Sequence, residues 1–311
     1  MIECSIIIVN YNNFNLLDDC ISSIIRFTQN INYEIIVVDN NSTCGNIEEV
    51  VNKYPCTRLI VNKENRGFSA ANNQGVEAAR GEYILFLNND TIFLENSIGN
   101  VLSFVKSKDE DFFVGCKLLN KDRSHQVSFF NFPSVANVFS TNFFIYKIFP
   151  DSPVFNKYHL SRKQIIQPVE VDVILGAFIL CPARTIKKLN GFDERFFFYS
   201  EEIDLCYRLK KNGGKIYYYP LTNIIHLGGA SADQMPWFQY KNRAISDIKF
   251  YQKHFHGLKY AFVILLHYIG LIIRIPITMI LGILLMKRQL LKKSFVYIRQ
   301  LFVYPKNVYN H

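Results

Sequence analysis

The sequence predicts an α/β fold: a mainly parallel, twisted sheet flanked by helices, followed by an apolar helical tail. Three observations carry that expectation. Short runs rich in strand formers alternate with segments of helical spacing from Ser5 through Asp90. Three of those runs stop abruptly at Asn, Asp or Ser. The C-terminal stretch gathers apolar and basic residues and holds no Asp or Glu from Ile248 onward.

Ser5-Ile-Ile-Ile-Val9 reads as the first strand and Asn10-Tyr11-Asn12-Asn13 as the break after it, with Leu16 to Phe27 continuing at helical spacing. Glu34 to Val38, then Asp39-Asn40-Asn41-Ser42 and a helix over Ile47 to Tyr54, repeat the unit. Arg58 to Val61 makes a third strand and Gly67 to Arg80 a third helix, which Gly81 is expected to cap. Tyr83 to Leu87 is a fourth, buried strand ending at Asn88-Asn89-Asp90. Strands alternating with helices imply right-handed crossovers and parallel pairing. Ligands collect beyond the carboxyl ends of such strands. A single Asn-Asn-Asp ending is explained by a turn, whereas three polar endings on one sheet edge predict a pocket. Asp90 brings to it a hard oxygen of the kind Mg²⁺ or Mn²⁺ prefers.

The 311 residues suffice for one main domain with appendages. The net charge of +9 is unevenly spread: ten Lys and Arg lie between Ile248 and His311, which leaves 25 basic against 26 acidic side chains in residues 1–247. The neutral part carries the candidate chemistry, and no nucleic-acid partner is expected. Seven cysteines form no CxxC pair, which points to reduced thiols in a cytosolic compartment. The N-terminus opens on a strand-like run and not on a signal peptide. Phe129 to His159 is dense in Phe, Pro and Asn without a clean period, and is expected to form a loop over the acceptor or an irregular part of the core.

The motifs Val9-Asn-Tyr-Asn-Asn13, Val37-Val-Asp-Asn-Asn-Ser42, Asn65-Arg-Gly-Phe68 with Asn72-Asn73, and Leu87-Asn-Asn-Asp-Thr91 stand in an order that resembles the donor-site motifs of family 2 inverting glycosyltransferases. The bacterial rhamnosyltransferase-like branch is the most similar. The resemblance continues through Gly176-Ala-Phe178, Gly191-Phe-Asp-Glu-Arg-Phe-Phe-Phe-Tyr-Ser-Glu-Glu-Ile-Asp-Leu-Cys-Tyr-Arg208 and Ile225-His226, so it covers roughly Ser5 to His254. It implies the GT-A fold, a nucleotide-sugar donor (by family weight, deoxythymidine-linked rhamnose) and a glycan or polyprenol-linked acceptor. It also implies a divalent cation, Mg²⁺ or Mn²⁺.

Residue by residue, the resemblance assigns Asn10, Tyr11 and Asp39 to the nucleoside and Arg66, Gly67 and Asn73 to the nucleotide-sugar pocket. Asn88, Asn89 and Asp90 fall on the family's DxD positions, with Asn88 replacing the first acid and removing one charge from the metal site. Glu202 matches the general base, Glu201 is the fallback, and Asp204 is expected to order the site. Carboxylates at a helix start are also favoured by the helix dipole alone. His226 is either a metal ligand beside Asp90 and Asn88 or a structural residue. Gly176 is expected to let the acceptor approach the backbone, and Trp237 either lines the acceptor site or packs a helix. A nucleotidyltransferase would carry a Gly-rich loop after its first strand, where Asn10 to Asn13 has no Gly. An inactive glycan-binding scaffold would not need the carboxylates of Asp90 and Glu202.

The catalytic domain is therefore expected over residues 1–257 and a basic, apolar tail over 258–311. Ala261 to Met286 would measure about 39 Å as one helix. Breakage at Arg274-Ile-Pro276 would instead give two helices, each shorter than the ~20 residues a span needs. With basic residues on both flanks, the tail is expected to act as a peripheral, monotopic or re-entrant anchor on anionic lipid. That places the enzyme at the cytoplasmic face of the bacterial inner membrane.

Overall fold

In chain order the first elements are β1 (Cys4–Asn10), α1 (Phe14–Phe27), β2 (Tyr33–Asp39), α2 (Ile47–Val51), β3 (Thr57–Val61), α3 (Gly67–Ala78) and β4 (Tyr83–Asn88). Next come β5 (Thr91–Phe93), α4 (Ser97–Val105), β6 (Phe112–Leu119), β7 (Phe129–Phe130), α5 (Val135–Asn142) and α6 (Ile145–Ile148). Then follow β8 (Val169–Glu170), β9 (Val173–Ile174), β10 (Phe178–Pro182), α7 (Ala183–Lys188), α8 (Glu201–Lys211), β11 (Lys215–His226), α9 (Pro236–His254), α10 (Gly257–Leu284) and α11 (Arg288–Leu301). This computed structural model describes residues 1–159, 161, 165–228 and 236–303.

The described chain forms two units. Met1–Asn131, Ser161–Phe197 and Glu201–Gln234 make the first; Phe132–Leu160, Phe198–Ser200 and Met235–His311 make the second. The boundary expected at 257/258 coincides with the start of α10, whereas this grouping joins α9 and residues 132–160 to α10 and α11.

In the first unit the sheet order is β3-β2-β1-β4-β10-β6-β11-β5, with β8 paired to β11. Ile6 to Ile8, Ile35 to Val38 and Ile84 to Phe86 are fully buried. Such continuous apolar runs suit strands covered on both faces. α1 turns Leu17, Cys20, Ile21 and Ile24 inward, one stripe at helical spacing. The predicted parallel block is β3-β2-β1-β4. Beyond β4 the sheet is mixed, because β10 runs antiparallel to both β4 and β6, and β5 and β8 run antiparallel to β11.

Gly81 is not the cap of α3. The helix ends at Ala78 with Ala79 extended, and Gly81 serves a close approach, since a Cβ there would lie 2.5 Å from Ser5 N. α2 also stops early, at Val51.

The second unit changes two further expectations. Residues 129–159 are not a long loop: Ser134 caps α5 by accepting from Asn137 N, and α6 follows. The tail is not broken at Pro276, which lies inside the continuous α10. Contacts on either side of the proline hold the helix in line. A Cβ on Gly270 would come within 2.5 Å of Asn142 in α5, and one on Gly282 within 2.8 Å of Leu291 in α11. The Thr278 hydroxyl also donates to Arg274 O at 2.7 Å. Arg274, the charge inside this apolar helix, donates to the carbonyls of Asn142 and Thr141. It thereby satisfies the C-terminal end of α5 and its dipole. On the other side of α10, Leu258, Phe262, Leu265, Ile272, Ile280 and Ile283 are exposed. Among the described residues α10 is the one helix long and apolar enough to cross a membrane.

Candidate active site

Parallel pairing sets Asn10 level with Asp39 and Val9 level with Asn88, so the three polar strand ends share one edge. There they bond to one another. The fully buried Asn10 donates to Asp39 Oδ1 at 2.9 Å and accepts from Asn89 Nδ2 at 2.8 Å. Asp39 also accepts from Ser42 N at 2.9 Å and Ser42 Oγ at 2.6 Å. Asn10, Asp39 and Asn89 are thus the frame of the edge. Tyr11, 40% exposed beside them, offers an open ring face.

The Arg66-Gly67 turn lies against the segment before α8. Gly67 has φ +83°, and a Cβ there would sit 2.6 Å from Phe197 O, so both the backbone angle and the space require glycine. Asn73 binds the turn after Gly191 by accepting from Phe192 N at 2.8 Å and donating to Phe192 O at 2.9 Å. Arg66 lies 4.0 Å from Glu194 at the surface.

At the end of β4 the chain turns directly into β5, which pairs with β11 so that Thr91 faces His226. Leu227 N donates to Asp90 O at 2.9 Å. This pairing brings His226 Nε2 to 3.4 Å from Asp90 Oδ1 and 3.2 Å from Asn88 Nδ2. Asp90 Oδ1 is buried and has no hydrogen-bond partner among the described residues. A buried carboxylate oxygen left without a donor costs free energy unless something else approaches it. Beside an imidazole nitrogen, it fits a divalent cation. No cluster of three or more His, Cys, Asp or Glu ligands occurs among the described residues. Asp90 and His226 could hold such a cation as two protein ligands, which would leave most of its coordination shell to other oxygens.

Helix α8 starts at the same edge. Asn88 N donates to Ala177 O at 3.2 Å, and the preceding Gly176 lies against Glu202, where a Cβ would meet Glu202 Cβ at 3.8 Å. Tyr199 and Ser200 enter the helix with φ 71° and 64°. Two successive left-handed non-glycine residues store strain of the kind found at functional sites. Glu201 is buried, and burial followed by the charge of Glu202 holds its carboxyl well above the usual range. The ionised form, which alone accepts a proton, is thereby disfavoured in Glu201, and Glu202 is its half-buried neighbour beside Gly176. Asp204 is fully buried and accepts from Arg208 Nε at 2.8 Å. Arg208 in turn donates to Leu189 O and Gly191 O at 2.6 and 2.8 Å. Asp204 is part of a clamp and does not face the open space beside Gly176.

Trp237 belongs to the second unit, where the Arg299 guanidinium lies 3.9 Å from its ring centroid. Sequence reasoning missed Ser42, Arg208 and Gln126. Ser42 and Arg208 lie within quoted motifs as partners of Asp39 and Asp204, while Gln126 sits in a polar turn with no motif to mark it.

A family model described as Glycosyl transferase family 2 matches residues 5–156. Rhamnosyltransferase WbbL of Escherichia coli strain K12 is 30% identical over 202 residues, which cover 62% of this chain and 72% of that protein. N-acetylglucosaminyl-diphospho-decaprenol L-rhamnosyltransferase of Mycobacterium tuberculosis is 26% identical over 216 residues, 65% of this chain and 69% of that protein. Among solved structures, mannosyltransferase PcManGT from Pyrobaculum calidifontis in complex with GDP-Man and Mn²⁺ matches at TM-score 0.58 and 14% identity, covering 96% of this chain and 84% of its own. GalNAc-T7 with UDP, GalNAc and Mn²⁺ matches at 0.56 and 15%, covering 73% and 44%. At these identities the structural likeness speaks for the fold, which is GT-A.

Proposed function

Because this chain belongs to glycosyl transferase family 2 and is a glycosyltransferase, we propose that it transfers a sugar with inversion from a nucleotide-sugar to a hydroxyl of a glycan or polyprenol-linked acceptor during cell-surface polysaccharide synthesis. Its similarity to two rhamnosyltransferases makes deoxythymidine-diphosphate rhamnose the donor of choice. The observation that carries the reading is the convergence at the end of β4. There a partnerless Asp90 oxygen lies beside the His226 ring nitrogen, and Asn88 N bonds to Ala177 O, next to the Gly176 that lies against Glu202.

In this reading Tyr11 and the Asn10–Asp39 frame receive the nucleoside, and Arg66 faces the diphosphate. Asp90 and His226, with Asn88 adjoining, hold Mg²⁺ or Mn²⁺. When bound, the cation neutralises the charge that develops on the leaving diphosphate. Glu202 takes the proton of the acceptor hydroxyl as that oxygen attacks the anomeric carbon. The bond from that carbon to the phosphate oxygen breaks, and its electron pair leaves with the nucleoside diphosphate. Gly176 leaves room for the acceptor. Residues 1–257 act as the catalytic module. The tail from 258 lays the apolar side of α10 on anionic lipid at the cytoplasmic face of the inner membrane, with Lys287, Arg288, Lys292 and Lys293 near the headgroups.

A thermal-shift screen of nucleotide-sugars with and without Mn²⁺ identifies the donor, since selective binding to the folded chain raises its stability. Glu202→Gln should keep the donor-induced shift and lose turnover by about 10²–10⁴-fold. A product that retains the donor's anomeric configuration overturns the mechanism.

A further inference from the structure

The His226 ring is bracketed by two amides. On one side Gln126 Oε1 lies 2.7 Å from Nδ1; on the other, Asn88 Nδ2 lies 3.2 Å from Nε2. Which nitrogen carries the proton decides whether Nε2 has a lone pair to give, because a protonated imidazole nitrogen cannot ligate a cation.

The surrounding bonds fix the answer one amide at a time. Asn120 Nδ2 donates to Ser124 Oγ at 2.8 Å and to His125 O at 3.4 Å, which leaves Asn120 Oδ1 as an acceptor. Gln126 Nε2 donates to that oxygen at 3.0 Å and to the backbone carbonyl of His226 at 3.0 Å. With its amide nitrogen committed to two acceptors, Gln126 must present its oxygen to the ring. An oxygen 2.7 Å from Nδ1 requires the proton to be on Nδ1. Nε2 is then unprotonated, with a lone pair that accepts from Asn88 where no cation competes for it, and stands 3.4 Å from the partnerless Asp90 Oδ1.

We propose that Gln126 is a positioning residue that locks His226 in its Nδ1–H tautomer and so keeps the Nε2 lone pair beside Asp90 for a divalent cation. The proposal rests on the metal reading of Asp90 and His226 given above and adds to it a residue outside the motifs quoted above. The backbone supports it: the turn 120–125 returns Gln126 N to Leu118 O at 3.0 Å, next to the end of β6. β6 pairs with β11 through Leu119 and Ile225, so the amide and the ring are held by neighbouring strands. A carboxamide or carbonyl on the far nitrogen of a ligating histidine typically controls metal affinity by about 10–100-fold.

The test is made on the full chain labelled with ¹⁵N-histidine, with the His226 signals among the seven histidines identified by their loss in His226→Ala. Without metal, His226 should show a protonated Nδ1 and an unprotonated Nε2. Gln126→Ala should destroy that preference, and Gln126→Glu, which still offers an oxygen to Nδ1, should preserve it. Mn²⁺ titration in the presence of thymidine diphosphate should show an affinity about 10–100-fold weaker for Gln126→Ala and largely restored in Gln126→Glu. A His226 protonated on Nε2 in the unmodified chain, or a tautomer and Mn²⁺ affinity unmoved by Gln126→Ala, overturns the proposal. The metal reading beneath it fails separately, if Asp90→Ala and His226→Ala bind Mn²⁺ as tightly as the unmodified chain.

Discussion

Replacing Asp204 with Ala removes the carboxylate to which Arg208 Nε donates at 2.8 Å and leaves the guanidinium still tied to Leu189 O and Gly191 O. The Asp204 side chain is 0% exposed and that of Arg208 18%. The variant therefore strands a charge that water reaches poorly. Breaking a buried pair in this way costs about 3–5 kcal/mol, whereas replacing both partners by apolar residues of similar volume is often neutral. That is a large share of the roughly 5–15 kcal/mol by which folded chains are stable. Urea denaturation of the full chain should show the loss in Asp204→Ala and most of it recovered in Asp204→Leu/Arg208→Met. Turnover per folded molecule, measured well below the transition, should change by less than about tenfold, against the 10²–10⁴-fold expected when a general base is lost. Unchanged stability combined with a base-sized loss of turnover would show that Asp204 takes part in the chemistry and would refute the clamp.

Two pH dependences follow from the buried carboxyls. Burial, then the charge of Glu202, raises the Glu201 carboxyl above its ordinary 4.5. Its neutral form supports the fold fully below that value, and the support is lost as pH rises through the higher folded value. Glu201→Gln should thus match the unmodified chain at pH 4 and exceed it at pH 8, by at most about 1.4 kcal/mol per pH unit within the window; equal melting differences at both pH values would contradict this. For Glu34, burial is outweighed by hydrogen bonds from Arg80, Ser5 and Arg58, which bring the carboxyl down to about 2. Its contribution is present above the ordinary 4.5 and lost as pH falls toward 2. Both arginines are largely exposed, so solvent screening reduces it to about 1–3 kcal/mol. Glu34→Gln should lose that much at pH 7 and little at pH 2, read from urea midpoints.

The parallel block was legible in the sequence because β1, β2 and β4 are buried on both faces, which writes unbroken apolar runs such as Ile6 to Ile8 and Ile84 to Phe86. β5, β8 and β9 have two or three residues each, too few to show a period. The antiparallel entry of β10 is set by the partners it finds on either side and not by its own composition. The strand ends do share one edge, as parallel pairing of their strands requires. They could not show that Asn10, Asp39 and Asn89 would satisfy one another, since any of the three could equally have faced a nucleoside. Pro276 misled for a related reason: a proline's local cost is real, but Gly270 against Asn142 and Gly282 against Leu291 give α10 neighbours that offset it.

The charge of the pocket is lower than its motifs suggest, and this bears on how a cation would be held there. Asn88 brings no charge where the resemblance expects an acid, and burial followed by the charge of Glu202 disfavours the ionised form of Glu201. Asp204 is already paired with Arg208. Asp90 and Glu202 are therefore separate carboxylates with different surroundings, one beside an imidazole and one beside Gly176. A single carboxylate and a neutral ring make a weak site for a hard divalent ion, which gains most from several anionic oxygens. A diphosphate would supply those oxygens, and with few acidic groups nearby it would meet little repulsion of its own. Each of the two then raises the affinity of the other by the same factor, as linkage requires. In the proposed reading, Asn88 would shift the burden of metal binding from the protein to the donor without removing it.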